Sequence, residues 1–169
     1  MELHHRKQNR LQDYDYSQNG AYFITICTKK RHEILCNIVD SRDAGAQIQL
    51  TEYGIIVDEY IKMISKKYPT TRVDAYIIMP DHIHVVITIV GDGSAVPQKN
   101  QGRATPAPTI GNIIGWFKYV TTKIIANHWD ASDNRLWQRS YHDHVIRNAE
   151  EYRAICQYIA DNPARWLHR

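Results

Sequence analysis

Apolar and polar positions along this chain recur with two different periods, and the period predicts the element. Residues 21–28, rich in aromatic and β-branched side chains, read as a strand that ends in the positive charges of Lys29, Lys30 and Arg31. Residues 33–50 hold two short apolar pieces around a polar centre, the pattern of a peripheral hairpin. At Thr51, an N-cap residue followed by Glu52, the period changes to three and four. Ile55, Ile56, Glu59, Tyr60, Met63 and Ile64 then share one largely apolar helix face, which Lys66, Lys67 and Pro69 bring to an end. Residues 73–79 return to the strand pattern, Pro80-Asp81 predicts a tight turn, and residues 82–90 come back antiparallel. A stretch rich in Gly, Ser, Pro, Gln and Asn, 91–108, predicts a flexible excursion. Beyond Thr109 a second helix places Ile113, Ile114, Phe117, Val120, Thr121, Ile124 and Ile125 on one stripe. Residues 136–146 read as a fourth core strand broken by polar residues. A third helix covers about 148–161, and Pro163 is expected to stop it.

The order β-α-β-β-α-β followed by one more helix predicts an α+β, ferredoxin-like fold: an antiparallel sheet with two helices on one face. The added C-terminal helix is left to cross the open face. At 169 residues the chain is expected to form a single domain, 1–169, preceded by a polar arm over 4–19 that carries Arg6, Lys7, Arg10, Tyr14 and Tyr16.

Two stretches carry candidate chemistry. In Met79-Pro80-Asp81-His82-Ile83-His84, strand alternation turns both histidines to one face and Ile83 into the core. Two such imidazoles, about 7 Å apart along the strand, suit one divalent metal, although a His-x-His pair also serves as ordinary surface and satisfied polar residues. On the third helix, Tyr158 and Asn162 are four apart and so share a face. A phenol can act as a nucleophile and an amide oxygen can be a third ligand to a hard metal. Core aromatic and helix C-terminal residue are the plainer roles for this pair. Tyr141 and Tyr152 are alternative nucleophiles, but neither has an oxygen ligand four residues on, since Val145 and Cys156 stand there.

Composition narrows the setting. Hydrophobic residues make up 43% and charged residues 23%, the balance of a water-soluble globular chain, and no run approaches the roughly 18 apolar residues of a membrane span. The N-terminal residues lack the apolar segment of a secretory leader. Cys27, Cys36 and Cys156 are odd in number and lack metal-knuckle spacing, which fits reduced thiols in a cytoplasmic protein. A net charge of +3 is compatible with nucleic acid without requiring it. Eleven tyrosines and four tryptophans against two phenylalanines suit surfaces on which bases stack, although Tyr and Trp also fill cores.

Taken in order, the pieces Tyr14-Asp15-Tyr16-Ser17-Gln18, residues 20–28, Met79-Pro80-Asp81-His82-Ile83-His84, Leu136-Trp137-Gln138-Arg139-Ser140-Tyr141, Ile146-Arg147-Asn148 and Tyr158-Ile159-Ala160-Asp161-Asn162-Pro163 resemble the single-tyrosine HUH transposases of the IS200/IS605 type, and among them the REP-associated tyrosine transposases. The resemblance implies that His82 and His84 are metal ligands, Asn162 the third ligand and Tyr158 the catalytic tyrosine. It implies Mg²⁺ or Mn²⁺ as cofactor and hairpin or single-stranded DNA, with REP elements expected, as partner. The reaction would cleave and rejoin DNA through a 5′-phosphotyrosine. A bacterial cytoplasmic setting beside the nucleoid and a monomer or homodimer are expected as well.

For backbone phosphates the candidates are Lys29, Lys30, Arg31, Lys118, Arg139 and Arg147, and for base stacking Trp116 and exposed tyrosines. Two other classes stay open. One is a non-catalytic hairpin DNA or RNA-binding module of the same fold. The other is a metal-dependent phosphoesterase that uses water, for which Asp81 is the nearby general base.

Overall fold

The computed structural model describes residues 19–41, 45–90, 108–126 and 135–168. The N-terminal arm and the Gly/Ser/Pro-rich excursion therefore fall outside the described residues, apart from their last positions. Six strands and three α-helices are present among the described residues: β1 Gly20–Cys27, β2 Cys36–Ser41, β3 Gly45–Leu50, α1 Glu52–Lys67, β4 Thr71–Met79, β5 His82–Ile89, α2 Ile110–Ile125, β6 His142–Ile146 and α3 Ala149–Leu167.

Four strands form one antiparallel sheet in the order β4-β5-β1-β6, the ferredoxin-like arrangement expected, while β2 and β3 pair separately as the predicted hairpin. Strand alternation divides the sheet's side chains between two faces. Tyr22, Ile24, Ile26, Ile83, Val85, Ile87 and Ile89 meet the buried stripes of α1 and α2 in the main core. On the opposite face Phe23, Ala75, Ile77, Val86 and Ile146 receive Tyr152, Ile155 and Ile159 of α3. The last helix does cross the face left open by the other two.

Each helix begins on a side-chain cap. Thr51 accepts from the Gly54 N–H at 3.1 Å, Thr109 from Asn112 at 3.2 Å and Asn148 from Glu151 at 2.8 Å. Glu151 also reaches back to accept the Arg147 N–H at 2.7 Å, which ties the strand–helix junction before α3.

Three expectations need correction. The buried face of α1 is Gly54, Val57, Ile61 and Ile64, while Ile55 and Met63 point to solvent. The cause is a close approach at Gly54, where a Cβ would stand 2.0 Å from the Leu35 carbonyl oxygen; only glycine lets the helix turn this side inward. Next, β6 is limited to His142–Ile146, and residues 136–141 form only an isolated bridge, Thr28 to Trp137. The Gln138 and Arg139 carbonyls are taken by the Lys118 ammonium at 2.5 and 3.0 Å, so a ladder does not continue there. Finally, α3 runs through Pro163 to Leu167. The ring removes the bond to the Ile159 carbonyl, but Asn162 and Pro163 are both buried, and packing holds the last turn in line.

Candidate active site

The α3-facing side of β5 brings His82 and His84 together. Their backbones are two residues apart, yet the rings lean toward each other until the Nε2 atoms are 3.2 Å apart. Their other nitrogens are held from behind. His82 Nδ1 is 2.5 Å from Asp81 Oδ1, and His84 Nδ1 is 2.8 Å from the hydroxyl of Thr25, its cross-strand partner on β1. A carboxylate at Nδ1 calls for the proton there, which leaves the lone pair of His82 on Nε2. Both rings are almost fully buried.

This geometry fits a metal. Two nitrogens bound at about 2.0–2.2 Å to one ion, at angles between octahedral and tetrahedral, are about 3–3.5 Å apart. Among the described residues no third His, Cys, Asp or Glu side chain joins the two imidazoles in a group placed to hold a metal ion, so a further side-chain donor from these residues would be of another type. Asn162, 4% exposed on the facing helix, is of that kind. Its amide nitrogen donates to the Tyr158 carbonyl at 3.4 Å, and its oxygen is the ligand-type atom.

Tyr158 stands one helical turn before Asn162. Its ring centre lies 5.4 Å from that of His84 and 6.1 Å edge-on from Phe23, and its side chain remains open to solvent at 36% exposure. Arg165, two turns along the helix, lays its guanidinium 5.3 Å from the Tyr158 ring centre. Trp166 closes the far side, its ring 6.0 Å from that of His82. A solvent-open phenol, a positive charge and two converging imidazoles are an arrangement suited to an anionic group.

The alternative tyrosines are placed differently. Tyr141 packs against the main core, on the face away from the histidines. Burial first, and the Asp74 charge next, push the Tyr152 phenol up to about 12. Asp81 is occupied too, since its second oxygen takes Arg31 Nε at 2.8 Å.

The basic candidates divide. Lys29, Lys30 and Arg31 cluster at the His82 end of β1, joined by Arg135, which the sequence reading did not single out. Desolvation, then the charges of Arg135 and Lys30, lower the Lys29 ammonium. Lys30 and Arg31 hold left-handed backbone at φ 54 and 59, unusual for side chains of this size. Arg31 is anchored by Asp81 and by a contact of 2.8 Å to the Cys27 sulfur. Lys118 is committed to the Gln138 and Arg139 carbonyls, and desolvation lowers its ammonium. Arg139 and Arg147 are exposed. Trp116 packs at a tilt against Tyr60 and edge-on against Tyr68 on the α1–α2 side, away from the histidine face.

Thr25, Arg165 and Trp166 were also missed. Arg165 and Trp166 had a signal, i+7 from Tyr158 and i+4 from Asn162, which the expected stop at Pro163 concealed.

Comparison with known proteins agrees with this architecture. No protein-family model matches the chain. An uncharacterized protein of Haemophilus influenzae is 32% identical over 176 residues, covering 97% of this chain and 91% of that protein. A REP-associated tyrosine transposase of Escherichia coli is 23% identical over 153 residues, covering 89% of this chain and 70% of its own. The solved structure of a REP-associated tyrosine transposase bound to a REP hairpin superposes with a TM-score of 0.61 at 19% identity, over 92% of this chain and 73% of that one.

Proposed function

The chain belongs to one family with the Haemophilus influenzae protein and is related to the REP-associated tyrosine transposases, whose fold it shares; from this we propose that it is a metal-dependent single-strand DNA endonuclease and strand transferase acting on hairpin DNA. The observation that carries the reading is the meeting of β5 and α3. It sets two converging Nε2 atoms beside the Tyr158 ring, with Asn162 buried one turn further along the same helix.

His82, His84 and Asn162 would hold Mg²⁺ or Mn²⁺, with an oxygen donor and open positions favouring these harder ions over zinc. The ion, when bound, supplies Lewis-acid withdrawal of charge from the scissile phosphate and fixes its orientation. Tyr158 is the nucleophile: its oxygen bonds to phosphorus as the phosphorus–O3′ bond breaks, the phenolic proton goes to solvent, and the departing O3′ takes a proton. The products are a 5′-phosphotyrosine and a 3′-hydroxyl. Attack by a 3′-hydroxyl on that linkage reverses the exchange, so rejoining needs no nucleotide cofactor. Arg165 supplies positive charge beside the phenol, and Lys29, Lys30, Arg31 and Arg135 offer a basic margin for the backbone at the His82 end. A hairpin of the REP type is the expected DNA, as in the related structure.

Two arrangements weigh against the competing readings. Both Asp81 oxygens are engaged, by His82 and Arg31, which leaves a water-using phosphoesterase without its general base. The exposed Tyr158 beside the imidazoles is more than a passive binding module needs.

The deciding experiment incubates the protein with labelled hairpin DNA and Mn²⁺ or Mg²⁺ and resolves the products on a denaturing gel. A metal-dependent, protease-sensitive slow band, lost in Tyr158→Phe, is expected. Cleavage without the band would move the reading to a phosphoesterase. Binding with neither product would move it to a binding module.

A further inference from the structure

Helix α3 covers the site face of the sheet unevenly. On β5 the side chains of that face, His82, His84 and Val86, are buried, and on β1 their neighbours Phe23, Thr25 and Cys27 are half-buried. On β6, the sheet edge, His142 and His144 are exposed. Ile146, at the far end of β6, is buried with Ile159 of α3, so the uncovered part is a ledge at His142 and His144.

Register shows that these residues share one face, since directly opposed residues of paired strands point the same way. Thr25, whose hydroxyl is 2.8 Å from His84 Nδ1, has His142 as its partner on β6. Phe23, edge-on to the Tyr158 ring, has His144. The His142 backbone therefore stands two strand spacings, about 10 Å, from that of His84. His144 is tied to Glu151 at 2.6 Å, while His142 presents an imidazole N–H donor to the ledge. Half-exposed rings beside hydrogen-bond donors suit a single strand of nucleic acid, whose bases stack and whose phosphates accept.

The chemistry proposed above says which strand. The phosphotyrosine keeps the segment 3′ of the break, so that segment must begin at the Tyr158 oxygen. The phenol's ring meets Phe23 at the border of the ledge. The other segment, ending in the 3′-hydroxyl, departs on the side of phosphorus opposite the nucleophile, away from the ledge and toward the basic residues at the His82 end.

We propose that the β1–β6 ledge is a binding subsite for single-stranded DNA that holds the segment linked to Tyr158, with Phe23 as a stacking surface and His142 as a donor to its backbone. Which segment lies there rests on the proposed function; the ledge as a single-strand surface does not.

The test varies the charge at exposed His142 through His142→Ala, His142→Glu and His142→Lys, with the melting temperature as control for folding. Affinity is measured by fluorescence anisotropy in a Tyr158→Phe background. The hairpins carry single-stranded DNA on both sides of the phosphate mapped from the wild-type adduct, or on one side alone. His142→Ala is expected to weaken binding about threefold to tenfold, His142→Glu more, and His142→Lys to restore it. These differences should vanish when the 3′ segment is removed and persist when the 5′ segment is removed. Lys30→Ala, at the His82 end, should show the opposite dependence. Unchanged affinity in His142→Glu, or a loss that follows the 5′ segment, would overturn the proposal. A wild-type protein that forms no adduct would instead overturn the proposed function. The ledge would then be decided by a plain single-stranded oligonucleotide: weaker binding to His142→Glu upholds it as a single-strand surface, and equal binding overturns it.

Discussion

Asp81 joins two residues that reach it from different strands' ends: one carboxylate oxygen lies 2.5 Å from His82 Nδ1 and the other 2.8 Å from Arg31 Nε. The arginine holds the carboxylate, and the carboxylate fixes the tautomer and direction of the imidazole. Asp81→Asn keeps the shape but loses the charge and offers an amide group in one of the two places. With His82 in its proposed role, Mn²⁺ affinity should fall about tenfold to a hundredfold. A metal titration followed by spin resonance checks this, with the melting temperature as control for folding.

Gly54 packs its α-carbon against the Leu35 carbonyl, where a Cβ would come within 2.0 Å of the oxygen. The neighbour is backbone, and that carbonyl already accepts from the Thr51 N–H at 3.0 Å. Gly54→Ala must push α1 away from the hairpin, at a cost of about 1–3 kcal/mol or more, despite alanine's better helix propensity. Urea denaturation measures it; a neutral or stabilising result would show that the junction yields more easily than its contacts imply.

Deep in the main core, the Trp137 indole N–H donates to the Thr121 hydroxyl at 2.9 Å, and that hydroxyl donates to the Phe117 carbonyl at 2.7 Å. Thr121→Val preserves volume and leaves the indole without its acceptor. The expected loss is about 1–3 kcal/mol, read from the denaturation midpoint, with near-ultraviolet circular dichroism reporting on Trp137.

Tyr152 supplies a prediction in alkali. Its folded value of about 12 lies above the ordinary 10.0. A raised folded value means that its contribution to stability is complete below pH 10 and is lost as the pH climbs through about 12. Phenolate absorbance should show a late-titrating tyrosine that is missing in Tyr152→Phe, and the variant's stability should decline less over that interval than the parent's.

Several of these relationships are legible in the sequence and others cannot be. Period-two alternation forces His82 and His84 to one face, and four-residue spacing does the same for Tyr158 and Asn162. That the imidazoles converge to 3.2 Å depends on Asp81 and on Thr25, which is 59 residues away and arrives only through strand register. The register shift between Val73 and Ala75 on β4 is hidden for a different reason. Val73, Ala75 and Ile77 look like one unbroken alternation, yet Val73 faces one helical layer and the other two face the opposite one. Local rules misplaced the face of α1 because they assign a glycine no direction, although Gly54 makes the closest backbone approach described. They also stopped α3 at Pro163, where tertiary burial outweighs the lost hydrogen bond.

Tyr158 and Asn162 ride on a single helix, one turn apart. In the proposed chemistry this makes the attacking atom and a ligand of the metal inseparable: whatever dislodges one removes the other. A loosened helix would leave a protein that still grips its hairpin but has lost the means to cut. Under that chemistry failure ends in inactivity rather than in stray breaks, a safeguard wherever an error of cleavage would be written into DNA.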